Sequence, residues 1–580
     1  MKKRWLLAGS LLSGVLLWIV VGTDRHPDTS TVAPFAPYTD DRDDIAPSWS
    51  LDDSRIVYCR ASTNGAMLYE VPAAGGPTNP FPVGASGGCT PAWSPDGARV
   101  AFSSDRSGHF QLMRALGLAR PINIWTVNAD GEDLRQVTDS RTNALDPSWS
   151  RDGTQIAFTT FPGPRAMSVP AQGGEASLVA PGMSPAWSPD GKTVAFLSDT
   201  SGGSGARFSI AVQPAMGGAV KHLAGYDLKS SFFFRPSLDW SPDGERLLTV
   251  QLEDGQWQPV VINVNEDRIE RTLPTIGSAI HPRWSHDGTR IVYGLTDTAH
   301  PPRIEVLALA NGQRTSLTQG SRYTAAQLIR YKSAGNLEIP GWLYLPRDSD
   351  VTKHPALVWL HGGSPGSSSM GNQCDRRIQY FVDQGFVVLA PNYRGSTGFG
   401  DELARFRYGD DMLPDIRAGV DYLKGLTQVD PAHVGVVGFS FGGYLALRSL
   451  VQDPEVFAAA VDFYGLSELV TLYEENVSIR PTLTELLGGT PDQRASAYRA
   501  ASPINFVDRI KSPLLILHGT RDSAAPYSQS AGLAKALARA HKDYEFISYR
   551  FAGHGFSGKD DIDANQQALR FLSAHLKTSR

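Results

Sequence analysis

Cysteine is scarce in this sequence. Among 580 residues there are only Cys59, Cys89 and Cys374. No Cys-x-x-Cys pair, no His-Glu-x-x-His helix and no phosphate-binding loop motif occurs, so a zinc module, a dithiol redox centre and a nucleotide-binding loop are excluded as organising chemistries. No metal and no organic cofactor is expected. Three is an odd number, and the reading favours three small buried thiols; export would permit one bridge, with Cys59–Cys89 the pair available to form it. Charge of one sign is also lacking. Lys and Arg number 54 against 59 Asp and Glu, for a formal net charge of −5. With no long basic run, a nucleic-acid ligand is excluded. Long apolar stretches are absent except at the N-terminus, which excludes a helical protein of many membrane spans.

That one stretch covers residues 5–22 and follows the basic start Met1-Lys2-Lys3-Arg4. It is longer than the core of a typical signal peptide and close to the length of a membrane span. Trp18 sits where an interfacial anchor belongs, and Val20-Val21-Gly22 is a poor cleavage site. Residues 1–22 therefore read as a signal anchor, or alternatively as a cleaved signal peptide, followed by a linker over 23–38. Either way the basic end stays inside and the bulk of the chain is exported, to the periplasm or the cell surface.

Glycine and proline are plentiful, at 57 and 39 residues. Together they make up about one residue in six, above the usual ~12% but below the ~25–30% of low-complexity chains. Their distribution follows a repeat. Pro47-Ser48-Trp49-Ser50-Leu51-Asp52-Asp53 is echoed by Pro91-Ala92-Trp93-Ser94-Pro95-Asp96-Gly97 and by Pro147-Ser148-Trp149-Ser150-Arg151-Asp152-Gly153. It returns as Pro185-Ala186-Trp187-Ser188-Pro189-Asp190-Gly191, Ser237-Leu238-Asp239-Trp240-Ser241-Pro242-Asp243-Gly244 and Pro282-Arg283-Trp284-Ser285-His286-Asp287-Gly288. The Trp-to-Trp steps are 44, 56, 38, 53 and 44 residues. Five copies end in Asp-Gly, a hairpin signal because tight turns need φ > 0; the first ends in Asp-Asp. Each turn leads into a short strand such as Arg99-Val100-Ala101-Phe102. Several strands per unit of about 45 residues is the period of a propeller blade, and blades must stack because none buries both faces alone. The sequence thus predicts a β-propeller of about six blades, seven if the flanks contribute, over residues 39–322. The longer steps are loop insertions within blades, for instance at His109–Pro121, and the repeated Trp packs between blades.

Beyond Tyr323 the pattern changes. Short apolar runs at Ala356–Leu360, Val387–Pro391, Val434–Phe439, Ala458–Phe463, Leu514–Leu517 and Tyr544–Tyr549 alternate with amphipathic helical stretches. Those stretches are Asp375–Gln384, Asp410–Leu426, Phe441–Gln452, Gln529–Arg539 and Asp561–Leu576. The alternation predicts a doubly wound α/β domain over residues 323–580, entered through a strand at Leu337–Pro346.

The chemistry-bearing residues lie at strand ends in this second domain. Gly438-Phe439-Ser440-Phe441-Gly442-Gly443 follows a strand and precedes a helix, the setting of a nucleophile elbow. Serine needs a base to take its proton. In this fold an acid and then a His follow the nucleophile in chain order. Asp522, in His518-Gly519-Thr520-Arg521-Asp522, and His554, in Gly553-His554-Gly555-Phe556, both follow strands at the edge where open α/β sheets place their sites. His433, His541 and His575 lie before a strand, on a helix or near the end, and are poorer candidates. Ser440, Asp522 and His554 are therefore the expected catalytic residues. An oxyanion hole is expected from the backbone N–H of Phe441 and that of Gly363, in Leu360-His361-Gly362-Gly363. His361 is assigned to orienting that loop.

These motifs, with Asn392-Tyr393-Arg394-Gly395-Ser396-Thr397-Gly398-Phe399-Gly400, resemble the prolyl oligopeptidase family of serine peptidases, in its acylaminoacyl-peptidase and dipeptidyl-peptidase-like branch. The upstream phrase resembles the WD-like repeats of TolB-type propellers and those that cap this family. The resemblance implies hydrolysis of short peptides, with the propeller over the active site excluding folded proteins. Arg394 and Tyr393 are placed as substrate contacts or loop braces, bracing being favoured for Arg394. Ser523-Ala524-Ala525-Pro526 departs from the bulkier or basic residue often found before that proline, and no paired-Glu motif for gripping a free N-terminus is found. Two other readings are an esterase or acyl-hydrolase on the same triad, and a non-catalytic propeller that binds a partner. Oligomeric state is not legible.

Overall fold

The computed structural model describes residues 42–577 apart from 63–64, 84–87, 107–120, 141, 162, 201–206, 224–227, 230–235, 348–352, 364–367 and 407–410. The anchor and linker of residues 1–38 lie outside the described residues, as does nearly all of the insertion expected at His109–Pro121. Among the described residues no helix is long and apolar enough to cross a membrane.

Six antiparallel sheets, each built from consecutive strands, account for the six Trp phrases. Their first strands are Asp43–Trp49, Cys89–Trp93, Asn143–Trp149, Met183–Trp187, Asp239–Trp240 and Ser278–Trp284. This is a six-bladed propeller. The phrase works as a turn staple. In every blade the Ser hydroxyl bonds the Asp two residues on, from Ser94–Asp96 at 2.5 Å to Ser150–Asp152 at 2.7 Å. The same Ser oxygen accepts the N–H that opens the next strand, such as Arg99 N–H at 2.9 Å. For Asp287 burial is the largest single influence and pushes the carboxyl up, for Asp52 it opposes more weakly, yet these bonds and those from Thr289 and Ser54 hold both exposed carboxyls down at about 2. Three of the six repeated Trp bridge blades by a hydrogen bond: the indole N–H of Trp49, Trp149 and Trp240 donates to Arg283 O, Ala92 O and Ala186 O on the preceding blade, whereas those of Trp93, Trp187 and Trp284 find no acceptor among the described residues.

The ring closes between blades 1 and 6, where Trp49, Ile56 and Tyr58 pack on Val292, Ile304 and Val306. Here the odd Asp-Asp phrase finds its reason. In the other turns the glycine has φ near +70°, and an added Cβ would lie against the residue after Ser in the preceding blade, for example Pro95 for Gly153 and Pro189 for Gly244. Asp53 takes the same left-handed conformation at φ 53°. Its carboxylate meets that equivalent residue, His286, accepting N–H bonds from His286 at 2.9 Å and Asp287 at 3.0 Å.

The cysteine expectation is corrected. Cys59 and Cys89 form a disulfide, their Cα atoms 4.9 Å apart. They sit on neighbouring blades, in the second strand of one and the first strand of the next, so stacking brings together residues 30 apart in sequence. Cys374 is half-buried in the second domain.

The second domain is an α/β-hydrolase built on an eight-stranded sheet. Its spatial order is Gln327–Lys332, Glu338–Tyr344, Val387–Pro391, His354–Leu360, Val429–Phe439, Ala459–Phe463, Leu514–Gly519 and Tyr544–Tyr549. The first two strands join antiparallel and the rest run parallel. The antiparallel edge strand Gln327–Lys332 was not legible because most of its residues are exposed. Apolar side chains on both faces of the sheet form separate cores. The two domains meet through the hairpin tips of blades 5 and 6 and the start of the first strand of blade 1. Gly255 donates its N–H to Gly398 O at 3.2 Å and accepts from Asn372 N at 2.6 Å. Gln379 donates to Thr298 O at 2.8 Å, and Arg376 pairs with Asp43 at 2.6 Å.

Candidate active site

The parallel strand Val429–Phe439 ends at Ser440, and helix Phe441–Gln452 starts at once. Ser440 has φ 55° and ψ −117°, a strained conformation for a residue with a Cβ. The surrounding glycines make the turn possible by steric necessity. A Cβ on Gly438 would lie 2.2 Å from Gly442 O, and one on Gly442 2.2 Å from Leu360 O. One on Gly443 would lie 2.3 Å from Asp462 Oδ1.

His554, on the loop after the strand Tyr544–Tyr549, brings Nε2 to 2.9 Å from Ser440 Oγ. Its Nδ1 is 2.7 Å from Asp522 Oδ2. Asp522 follows the strand Leu514–Gly519; its Oδ1 accepts the N–H groups of Ala524 at 2.9 Å and Ala525 at 2.8 Å. Burial pushes the Asp522 carboxyl up, but bonds from His518 and His554 outweigh it and hold the group at about 2. The three residues singled out in the sequence thus form one hydrogen-bonded chain, with an ionised carboxylate at the buried end and a hydroxyl at the open end.

Phe441 is the first residue of the elbow helix, directly after Ser440. Gly362 passes close by, its added Cβ falling 3.2 Å from Ser440 Cβ, and Gly363 takes φ 93°. His361 is a brace. Nδ1 lies 2.9 Å from Gly362 O and Nε2 3.0 Å from Ser396 Oγ. Burial pushes the His361 ring down to about 4, so it is neutral at pH 7. Tyr393 stacks on His361 at 4.4 Å and donates its hydroxyl proton to His361 O at 2.7 Å. Arg394 is occupied by the buried Asp415, through Nε at 2.9 Å and Nη2 at 2.8 Å. Both residues therefore support the loop around the site.

Two residues at the site carry no motif. Tyr464, at φ 45°, follows the strand Ala459–Phe463 and sets its ring edge-on to His554 at 4.9 Å. The Tyr-Gly step after an apolar strand was its only trace in the sequence. Asp462 lies beneath the elbow, its Oδ1 accepting Gly465 N–H at 2.9 Å. Its Oδ2 has no hydrogen-bond partner among the described residues, and burial pushes the carboxyl up to about 7. Among the described residues no group of three His, Cys, Asp or Glu side chains is placed to hold a metal ion.

A strained serine at a strand-to-helix turn, backed by His and Asp from later strands, defines the hydrolase class. Residues 372–579 match the prolyl oligopeptidase family. The Bacillus subtilis protein named uncharacterized peptidase YtmA is 29% identical over 257 residues, 44% of this chain and 95% of that one. Dipeptidyl aminopeptidase BIII of Pseudoxanthomonas mexicana is 29% identical over 255 residues, 41% of this chain but only 36% of its own length. In fold the likeness reaches both domains. The acylaminoacyl peptidase of Pyrococcus horikoshii superposes with a TM-score of 0.71 at 18% identity, covering 94% of this chain and 98% of that one. A puromycin hydrolase gives 0.73 at 18% identity over 93% and 95%.

Proposed function

We propose that the chain hydrolyses short peptides through an acyl-enzyme on Ser440, with the propeller restricting the site to small or unfolded substrates. The observation that carries this reading is the chain Ser440–His554–Asp522, with contacts of 2.9 and 2.7 Å. Ser440 attacks the scissile carbonyl as His554 Nε2 takes its proton. Asp522 holds the proton on Nδ1 and stabilises the imidazolium. The N–H groups of Phe441 and Gly363 receive the oxyanion. His554 then protonates the leaving amine, and water repeats the cycle on the ester. A fluorophosphonate probe is expected to label the wild type and not Ser440→Ala; equal labelling of both overturns the assignment. Matched peptide p-nitroanilides and esters separate peptidase from esterase, negligible anilide turnover favouring the latter.

We also propose an extracytoplasmic location, with residues 1–22 as the anchor. The basic start and apolar run support it, as does the Cys59–Cys89 bridge, since disulfides persist in oxidising compartments. In protein from the native host, one thiol is expected to alkylate before reduction and three after. Three reactive thiols without reductant contradict the location.

A further inference from the structure

His518 opens the segment that carries Asp522, and its ring lies fully buried at the root of the proposed triad. It is the penultimate residue of the strand Leu514–Gly519. Its Nε2 stands 2.8 Å from Ala525 O and 3.4 Å from Asp522 Oδ2, the oxygen that faces His554. Its Nδ1 is 2.6 Å from Ser530 Oγ, on helix Ser528–Arg539.

We propose that His518 is a positioning residue for Asp522 and that Ser530 fixes the tautomer this requires. The inference rests on the triad reading above. A carbonyl oxygen only accepts, so Ala525 O demands a proton on Nε2. In a neutral ring Nδ1 is then the acceptor, and Ser530 is the donor that satisfies it. The Nε2 proton is shared between Ala525 O and Asp522 Oδ2. The segment Asp522–Ala525 becomes a closed clasp. Ala525 N–H holds Oδ1, His518 holds Ala525 O and leans on Oδ2, and the remaining direction at Oδ2 points to His554. The other groups around the ring are Asp462 on the neighbouring strand and Tyr527, whose ring stands perpendicular at 5.8 Å.

The test compares His518→Gln, whose amide N–H reaches towards the Nε2 position, with His518→Phe, which fills the space without a donor. For His518→Phe, kcat on a short peptide anilide is expected to fall about tenfold or more with KM within about twofold. The acid limb of kcat/KM is expected to move to higher pH, because an Asp522 relieved of the His518 bond holds the His554 imidazolium more tightly. His518→Gln is expected to restore most of kcat and the wild-type limb. A folded His518→Phe with wild-type kcat and limb overturns the proposal. So do equal losses in both variants with an unmoved limb. Should His518→Phe fail to fold, Ser530→Ala decides: a several-fold loss in kcat with a shifted limb supports the proposal, and an unchanged profile overturns it. Ser440→Ala run alongside keeps the two readings apart. Turnover surviving in Ser440→Ala fails the triad, whereas a dead Ser440→Ala beside an unperturbed His518→Phe fails the clasp alone.

Discussion

The turn glycines of the propeller and the glycines around Ser440 look alike in sequence and answer to different physics. In the Asp-Gly turns of the Trp phrases, glycine supplies a left-handed backbone. The nearest atoms to an added Cβ are side chains at 3.5 Å for Gly153 and 3.7 Å for Gly288. Asp53 shows that another residue can take the same conformation and put its side chain to use. Around Ser440 the limit is hard contact with backbone or buried carboxylate, at 2.2 to 2.3 Å for Gly438, Gly442 and Gly443. A repeat tolerates variation at a conformational glycine; an elbow packed this closely does not tolerate a methyl.

Substitutions can break or sharpen that contrast. The largest effect is expected from Gly442→Ala. Its methyl cannot avoid Leu360 O, so probe labelling of Ser440 should vanish, with a loss of roughly 1–3 kcal/mol or more in urea unfolding of the hydrolase domain. Removing the bridge between blades 1 and 2 with Cys59→Ser and Cys89→Ser should cost about 3.6 kcal/mol for a loop of this length, read as a lower thermal midpoint of the propeller. Asp53→Gly separates conformation from contact. It restores the common Asp-Gly turn but removes the acceptors for His286 and Asp287, and a net loss of about 1–2 kcal/mol is expected; a gain would mean that backbone strain dominates the seam. Gly153→Asn should cost less than about 1 kcal/mol, since Asn visits the left-handed region readily.

Acid titration reads the same turns. The Asp52 and Asp287 carboxyls fall from 3.8 to about 2 on folding, so each stabilises the fold above the unfolded value. That contribution is lost as pH drops through about 2, and propeller stability should decline across this window. Replacing Ser50 or Ser285 by Ala should flatten the decline.

Much of this was legible because repetition and motif are local signals. Six Trp phrases specified six blades, and the order Ser440, Asp522, His554 emerged from the strands that precede each residue. What was missed depends on neighbours distant in sequence. The Cys59–Cys89 bridge needs the stacking of two blades. The role of Asp53 needs the ring to close on blade 6. The clasp on Asp522 needs His518 and Ser530 to meet across a strand and a helix, and Tyr464 reaches His554 only through sheet order. The helices Leu469–Glu475, Arg480–Leu487 and Ala495–Ala501 escaped notice because they are short, with few buried residues each to set a periodic pattern.

The proposed chemistry rests on one atom, Ser440 Oγ. The most direct measurement is mass spectrometric mapping of the protein quenched in acid during turnover of a short peptidyl p-nitrophenyl ester. An acyl group on the peptide containing Ser440, absent from Ser440→Ala and accumulating in His554→Ala only slowly if at all, is the predicted result. Turnover with no acyl group on Ser440, or undiminished turnover in Ser440→Ala, would contradict it.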